Sequence, residues 1–374
     1  MTAFTRRSLL STAAAAGGAA LLGATARPAA AAPSAVARPI AVLKLPQYAR
    51  SCLFSRDGRV LTFGVSYESR LLVPYDVRRR TRPRRLAEIP MPTLYGLESP
   101  LRTGRGSTVL YGHDGGAAVV DLRRPLHPAV LSSISAFSRP TYAVRADGRQ
   151  AAFLLHQQGA AGHLAVWDLS RPAAPRSLGG IGYGDGIPEE AAYLDDRTLA
   201  VPVAARVGTD YLDLVDLSDP AKPASLDRLD VSAWALAFEP RSRVLALSRP
   251  NTANESVTGL YRVVPARGAS RYRLVHLADL GSGPSDSTST PVFSPDRRLL
   301  AVPTGMGQVW LYAPRPGHRW GQGVPELRGV LGGLADVDSG AAYAYPKIDF
   351  SPDGRTLSSL VEETAGLYAL DRYR

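Results

Sequence analysis

The 374-residue chain has a single cysteine, Cys52, and only three lysines among its 44 basic residues. One cysteine excludes an intramolecular disulfide, a multi-thiolate zinc site and an iron–sulfur cluster. Cys52 lies in an apolar segment, so we expect a buried small hydrophobe rather than a nucleophile. No apolar run after residue 32 reaches the roughly 20 residues that cross a bilayer. We therefore expect a soluble mature protein without a transmembrane segment.

The first 32 residues have the layout of an export signal. Arg6-Arg7-Ser8-Leu9-Leu10 precedes a weakly apolar Ala/Gly/Leu stretch, and small residues lead up to Pro33. Paired arginines followed by leucines are typical of twin-arginine signal peptides, whose pathway carries folded proteins. We predict a signal peptide over residues 1–32, a short linker over 33–38, and an extracellular or cell-envelope location.

The formal charge is +11, and +8 remains after residue 32. This charge favours anionic surfaces. The bias toward arginine over lysine is more typical of a GC-rich genome than of selected phosphate contacts, and no nucleic-acid-binding motif is present. We expect no nucleic-acid partner.

Helical periodicity is nearly absent, whereas a turn of the form Ser-Pro-Asp-Gly-Arg recurs between short β-rich runs. Clear copies occupy 55–59, 146–149, 294–298 and 351–355, and weaker ones occupy 103–106, 194–197 and 239–243. Proline fixes φ at the first corner, Asp bonds back to the backbone, and Gly accepts positive φ. Each copy therefore predicts a reversal between two antiparallel strands.

About 20 residues after most of these turns, an apolar strand ends at an acid, as at Asp76, Asp121, Asp168 and Asp216. Successive strand ends are 45 to 59 residues apart, which fits one four-stranded blade per repeat. The seven copies predict an all-β, seven-bladed β-propeller over residues 39–374. The last repeat stops before its outer strand, and Pro39–Leu45 is a strand without a blade. We predict that this N-terminal strand closes the ring.

The recurring turn and the acid-ended strands resemble the tryptophan-aspartate (WD40-like) repeat propellers. Through Ser-Pro-Asp-Gly-Arg they also resemble the secreted bacterial propellers of the Tol and YVTN kinds. The resemblance covers residues 38–374 and implies the fold, but not an activity, because propellers host unrelated functions.

No hydrolase elbow, phosphate loop, zinc-protease motif or dinucleotide fingerprint is present. In a propeller, the loops joining second to third strands and outer to next inner strands gather at one mouth of the central channel, where sites usually lie. The ligand-binding candidates there are the polar residues of the most irregular loops, with two histidines: Tyr183, Asp185, Glu189, Glu190, Asp286, Asp338, Tyr343, His113 and His156.

Two subsets of these candidates leave alternatives open. His113 and His156 fit a metal or acid–base pair, but the sequence favours satisfied turn residues. Asp185, Glu189 and Glu190 fit a Ca²⁺ site or a general base, but a solvated acidic loop is favoured here as well. We expect no cofactor otherwise. No catalytic residue is assigned.

The opposite face receives a run of six arginines. Such a run can dock on an anionic cell-envelope polymer, or it is simply solvated charge. These anionic-surface candidates are Arg78, Arg79, Arg80, Arg82, Arg84 and Arg85.

Three functions remain open at this point. We predict a monomeric binding module for a protein, peptide or glycan at the channel mouth. The alternatives are a cell-envelope hydrolase or lactonase that uses channel-mouth acids and histidines, and a structural envelope component held by its arginine face.

Overall fold

Seven separate sheets, antiparallel except for the short β1–β28 pair, account for nearly all regular structure, and each sheet is one blade of a β-propeller. This computed structural model describes residues 36–65, 71–91, 98–102, 107–113, 116–135, 141–155, 162–250, 256–266, 271–281, 288–332, 334 and 346–374. The predicted signal peptide lies outside the described residues. Within the described part, no helix has the length and hydrophobicity that a membrane span needs.

The strands follow the chain from inner to outer within each blade. Two strands precede the blades: β1 (Val36–Ala37) and β2 (Ala41–Lys44). Blade 1 contains β3 (Ala49–Phe54), β4 (Val60–Val65), β5 (Leu71–Asp76), β6 (Arg84–Arg85) and β7 (Ile89–Pro90). Blade 2 contains β8 (Glu98–Arg102), β9 (Thr108–His113), β10 (Gly116–Asp121) and β11 (Ala129–Ser135). Blade 3 contains β12 (Thr141–Val144), β13 (Gln150–Leu155), β14 (His163–Asp168) and β15 (Arg176–Gly182).

The second half of the ring repeats this order. Blade 4 contains β16 (Ile187–Pro188), β17 (Ala192–Tyr193), β18 (Thr198–Ala204), β19 (Tyr211–Asp216) and β20 (Ala224–Leu229). Blade 5 contains β21 (Ala235–Glu239), β22 (Val244–Pro250), β23 (Ser256–Pro265) and β24 (Tyr272–Leu280). Blade 6 contains β25 (Val292–Phe293), β26 (Leu300–Pro303), β27 (Val309–Ala313) and β28 (Glu326–Leu331). Blade 7 contains β29 (Lys347–Phe350), β30 (Thr356–Val361) and β31 (Thr364–Ala369), after which Asp371–Tyr373 form a 3-10 helix.

The hydrophobic core lies between adjacent blades. Second and third strands are buried on both faces, as in β30, all six of whose residues are buried. One core cluster joins Phe63 of blade 1 to Leu360 and Leu367 of blade 7. Each blade therefore depends on its neighbours for burial, and its second and third strands lack the alternation of buried and exposed residues that a half-exposed sheet shows.

The repeated turn has the predicted chemistry and one further bond. In blade 1 the Asp57 carboxylate accepts the Arg59 N–H at 3.1 Å, and Gly58 has a φ of 69°. In addition, the Ser55 hydroxyl donates to Asp57 at 2.6 Å and accepts the Val60 N–H at 2.9 Å. Blades 6 and 7 repeat the serine bonds. Serine is thus conserved across these three copies of the repeat because it joins both arms of the turn.

The acids at third-strand ends also have a local role. Asp76, Asp121, Asp168 and Asp216 each accept the backbone N–H of the residue two positions later, at 2.8 to 3.1 Å. These are Asx turns, which start the hairpin to the outer strand. Local turn geometry therefore accounts for the aspartates that recur from blade to blade.

The N-terminal strand closes the ring, which confirms the sequence prediction. Strand β2 pairs antiparallel with β31 and supplies the outer strand of blade 7, with Val42 opposite Gly366. The preceding segment, expected to be a linker, contributes β1, which pairs parallel with β28 of blade 6. The start of the chain therefore joins two blades.

We expect Leu43→Ala to destabilise the whole propeller by about 2–5 kcal/mol, because Leu43 is buried between blades 7 and 1. Val42→Ala, one residue away on the half-exposed side of the same strand, should cost within about 0.5 kcal/mol. Deleting residues 39–45 should expose a sheet edge and lower the melting temperature of the entire domain. Calorimetry checks all three variants, and an unchanged melting temperature after the deletion contradicts the closure.

Candidate functional site at the channel mouth

Two groups of loops lie at opposite ends of the ring. We call the end formed by the loops from second to third strands and from outer to next inner strands the channel-mouth face. We call the end formed by the repeated turns and the hairpins from third to outer strands the turn face. The described loops of the channel-mouth face are residues 45–48, 183–191, 205–210, 230–234, 288–291, 304–308 and 362–363.

Glu190 lies inside the ring rather than on a solvated loop. Its carboxylate accepts the backbone N–H of Leu236 at 2.7 Å, so it joins blade 4 to the inner strand of blade 5. Burial raises the pKa of this carboxyl to about 7, although the Leu236 N–H, the Thr290 hydroxyl and the Lys347 charge oppose the rise. Glu190 therefore sits near its titration point at neutral pH.

Asp349 makes the same kind of link elsewhere in the ring. Its carboxylate on β29 of blade 7 accepts the Phe54 N–H of blade 1 at 2.7 Å. Inner strands pair on one side only, which leaves backbone N–H groups facing the channel. A carboxylate from the neighbouring blade satisfies such a group and fixes the spacing of the two blades.

Tyr183, a predicted site residue, is buried in the core between blades 3 and 4. Its hydroxyl lies beside Asp213, which is fully buried and accepts the Ser225 hydroxyl at 2.5 Å. Burial raises the pKa of the Tyr183 hydroxyl, and the Asp213 charge adds to the rise. Burial also raises the pKa of Asp213. The Tyr183 side chain thus packs inward, away from the mouth.

The remaining described candidates are spread around the mouth. Asp185 is exposed between Gly184 and Gly186, and Glu189 is partly buried beside the second strand of blade 4. His113 ends β9 of blade 2. Among the described residues, no three His, Cys, Asp or Glu side chains come together as a metal site would require. Four further candidates lie outside the described residues: His156, Asp286, Asp338 and Tyr343.

Three exposed apolar side chains, which are not among the predicted polar candidates, also lie on this face. Tyr48, Val207 and Met306 lie on three different loops of the channel-mouth face with 45%, 86% and 55% of their surface exposed. Gly208 and Gly307 adopt positive φ beside the last two, and these glycines mark tight tips. In the sequence, the signal that could have identified Val207 and Met306 is an apolar residue directly before a glycine in a short loop.

The described loops of this face are strongly acidic. Besides the inward-facing Glu190, they contain one base, Arg206, and six acids: Asp185, Glu189, Asp210, Asp230, Glu362 and Glu363. The protein as a whole is basic, so positive charge is concentrated elsewhere. The channel-mouth face therefore combines negative charge with exposed apolar tips.

A cleft of 340 Å³ opens beside this mouth between blades 4 and 5. Arg249, which lines it, donates to Asp279 at 2.8 Å, and the same carboxylate oxygen lies 3.0 Å from Nε2 of His276. The His276 ring packs edge-on against Tyr261. Asp230 and Ser232 line the opposite wall.

The arginine run lies in the blade 1 hairpin of the turn face. Arg78 pairs with Asp76 at 2.5 Å, Arg80 with Asp353 of blade 7 at 2.6 Å, and Arg85 with Glu88. Arg84 lies opposite Asp76 in the sheet, and Arg79 and Arg82 are exposed. Half of the predicted anionic-surface residues therefore have acidic partners within the protein.

Comparison with known proteins identifies the architecture. No protein-family model and no curated protein matches the sequence. The fold is similar to a chain of the mitotic checkpoint complex crystal structure, at 15% identity and a TM-score of 0.61 over 88% of this chain and 95% of that one. The Cps50 (Swd1) β-propeller domain of Myceliophteria thermophila matches at 12% identity and 0.61, over 88% and 99%. The C-terminal WD40 domain of Sif2 matches at 11% and 0.61, over 89% and 98%. At these identities the likeness shows the fold, a seven-bladed propeller with WD40-like structural neighbours.

We expect the titration of Glu190 to make stability depend on pH. Well below pH 4.5 its carboxyl is neutral in both the folded and the unfolded chain. As the pH rises, the unfolded chain releases this proton first, so the free energy of unfolding falls by about 3 kcal/mol until the pH passes the folded pKa of about 7. Glu190→Gln should remove this loss and still offer an oxygen to the Leu236 N–H.

Thermal melts of both proteins between pH 4.5 and 8 provide the measurement. Wild type should lose stability relative to Glu190→Gln across that interval. Glu363→Gln, which removes an exposed carboxylate on the same face, controls for net charge. Parallel curves for wild type and Glu190→Gln would show that Glu190 does not titrate as described.

Proposed function

We propose that this chain is an exported interaction scaffold that binds a protein or peptide partner at its channel-mouth face. The observation that carries the proposal is the combination described above, six acids and one base around the exposed Tyr48, Val207 and Met306, with Glu190 turned inward. Apolar tips supply buried area on binding, and the charges select the partner. The chemistry of this face therefore favours a partner whose binding segment is basic and also contains apolar side chains.

The structural neighbours support a binding role. One of them is a chain of the mitotic checkpoint complex, and the two others are a β-propeller domain and a WD40 domain. A rigid ring with variable loops suits recognition, because loops change without disturbing the interblade core. A protein or peptide is favoured over a glycan, because two of the three exposed tips are aliphatic or thioether side chains rather than aromatic rings.

The location in this proposal is extracellular or in the cell envelope, with export by the twin-arginine pathway. The support is the Arg6-Arg7-Ser8-Leu9-Leu10 motif and the small residues before Pro33. The Ser-Pro-Asp-Gly-Arg turns resemble those of secreted bacterial propellers of the Tol and YVTN kinds, which supports this location. Export of a folded protein suits a ring that is complete only when β2, near the start of the described chain, pairs with the last strand, β31.

Peptide binding tests the partner face. A library of basic, leucine-rich 12-residue peptides is measured by fluorescence anisotropy against the same peptides with every Lys and Arg replaced by Glu. We expect binding by the basic set alone. Val207→Ser combined with Met306→Ser should weaken binding at least tenfold, which is about 1.4 kcal/mol, because both tips lose apolar contact area.

Leu126→Ser is the matched control, since Leu126 is similarly exposed, at 43%, but lies on the turn face. This variant should bind as wild type does. Equal binding by both peptide sets, or equal weakening by the control, would remove the channel-mouth face from the proposal.

Cell fractionation tests the location. Replacing Arg6 and Arg7 by Lys should leave the protein as an uncleaved precursor inside the cell, because the twin-arginine pathway reads the arginine pair. Arg27→Lys, a change of the same type in the same segment, should leave export unchanged. Continued export of the double variant would exclude this pathway.

A further inference from the structure

The hairpins from third to outer strands in blades 1 to 3 concentrate positive charge on the turn face. Residues 77–83, 122–128 and 169–175 contain seven arginines and no acid. All three hairpins are described in full, and they follow one another around the ring. The arginine run noted in the sequence is therefore one part of a longer arc.

Some arginines on or beside this arc have partners within the protein. Arg78 binds Asp76 through two nitrogens, and Arg123 binds Asp121 at 2.7 Å. Arg80 reaches Asp353 in the turn of blade 7. The Arg78 hydrogen bond lowers the pKa of Asp76 to about 2. These arginines hold the hairpins in place and are not free for a ligand.

The strand-end acids have little remaining capacity to neutralise other arginines. Asp76 and Asp121 each accept a backbone N–H in their Asx turn as well as the guanidinium of the paired arginine. The same two contacts recur at Asp168, whose arginine, Arg176, is 3.4 Å away. Each of these acids is therefore already paired within its own hairpin.

A second set of arginines is exposed and has no ion pair among the residues that the structure describes. They occur on three consecutive blades, with Arg56 in the adjoining repeated turn of blade 1. The set is Arg56, Arg79, Arg82, Arg124 and Arg171. Unpaired guanidinium groups present planar forks of N–H donors, which match phosphate oxygens better than a point charge does.

We infer that this arc, Arg56, Arg79, Arg82, Arg124 and Arg171, is a docking surface for a flexible phosphodiester polymer of the cell envelope. The envelope location rests on the proposed function, whereas the charge pattern stands without it. Repeated phosphates along one chain can meet arginines on successive hairpins. Docking by this face would leave the acidic channel-mouth face directed away from the polymer.

The composition and shape of these hairpins argue against a lipid bilayer and against duplex DNA as the ligand of the arc. Among the described residues of the three hairpins, Leu126 is the one exposed large apolar side chain, whereas interfacial binding buries an apolar face. The one helix in the described part is the three-residue 3-10 segment Asp371–Tyr373, which is too short to enter a DNA groove, and the three arginine hairpins are short loops rather than two-stranded ribbons. A flexible chain is the ligand that can follow a curved row of hairpin tips.

Retention on immobilised poly(glycerol phosphate) at increasing salt tests the inference. Affinity should fall linearly with the logarithm of salt concentration, because bound polymer releases counterions. Replacing Arg79 and Arg82 by Gln should reduce the magnitude of that slope by about 1.4, which is about 0.7 for each lost phosphate contact. Arg124→Gln with Arg171→Gln should do the same, although both lie outside the original arginine run.

Lys44→Gln with Arg228→Gln removes equal charge from the channel-mouth ends of two outer strands and should leave the slope unchanged. If this pair changed the slope by the same amount, net charge rather than the arc would explain the binding, and the inference would be overturned. The inference is also overturned if Arg124→Gln with Arg171→Gln leaves the slope unchanged, because blades 2 and 3 would then make no contact with the polymer. Tighter binding to duplex DNA, or to vesicles of equal parts phosphatidylcholine and phosphatidylglycerol, would overturn it in favour of those ligands. Peptide binding at the channel mouth is measured separately, so either proposal can fail alone.

Discussion

The pairing of β2 with β31 is the contact on which the rest of the ring depends. Each blade is a small sheet that cannot bury its apolar faces alone, and its core is shared with the blades on either side. The ring of blades is closed only when blade 7 receives its outer strand, β2, from the N-terminal part of the chain. Burial between blades 7 and 1 is then equivalent to burial between any other two.

Within that ring, polar side chains mostly maintain the spacing of the blades. Glu190 and Asp349 tie inner strands together through backbone N–H groups, and Arg80 ties a hairpin of blade 1 to a turn of blade 7. A buried carboxylate close to its titration point is often interpreted as catalytic. In this propeller, the hydrogen bond of Glu190 to Leu236 gives the same carboxylate a structural role, and its raised pKa follows from burial.

The fold was predictable from the sequence because the repeat that forms one blade occurs seven times. The turns at Asp57, Asp147, Asp296 and Asp353 and the strand ends at Asp76, Asp121, Asp168 and Asp216 fix the blade count by local chemistry. The site was less predictable, since a channel mouth brings together residues from distant repeats. Sequence placed Tyr183 and Glu190 on a loop correctly, but the inward direction of their side chains depends on blades 4 and 5 packing around them. Val207 and Met306 carried no polar signal, and only their exposure distinguishes them.

Strand β1 and the C-terminal residues converge on the same strand of blade 6. Val36 and Ala37 pair with β28, while the Tyr373 ring packs against Gly329 of that strand, where a side chain larger than hydrogen would collide with it. Residues at the two ends of the described chain thus leave the ring through one sector of its rim. An anchor, a tag or a second domain fused at either end would be tethered at that sector, and both circular faces would remain open to their own ligands.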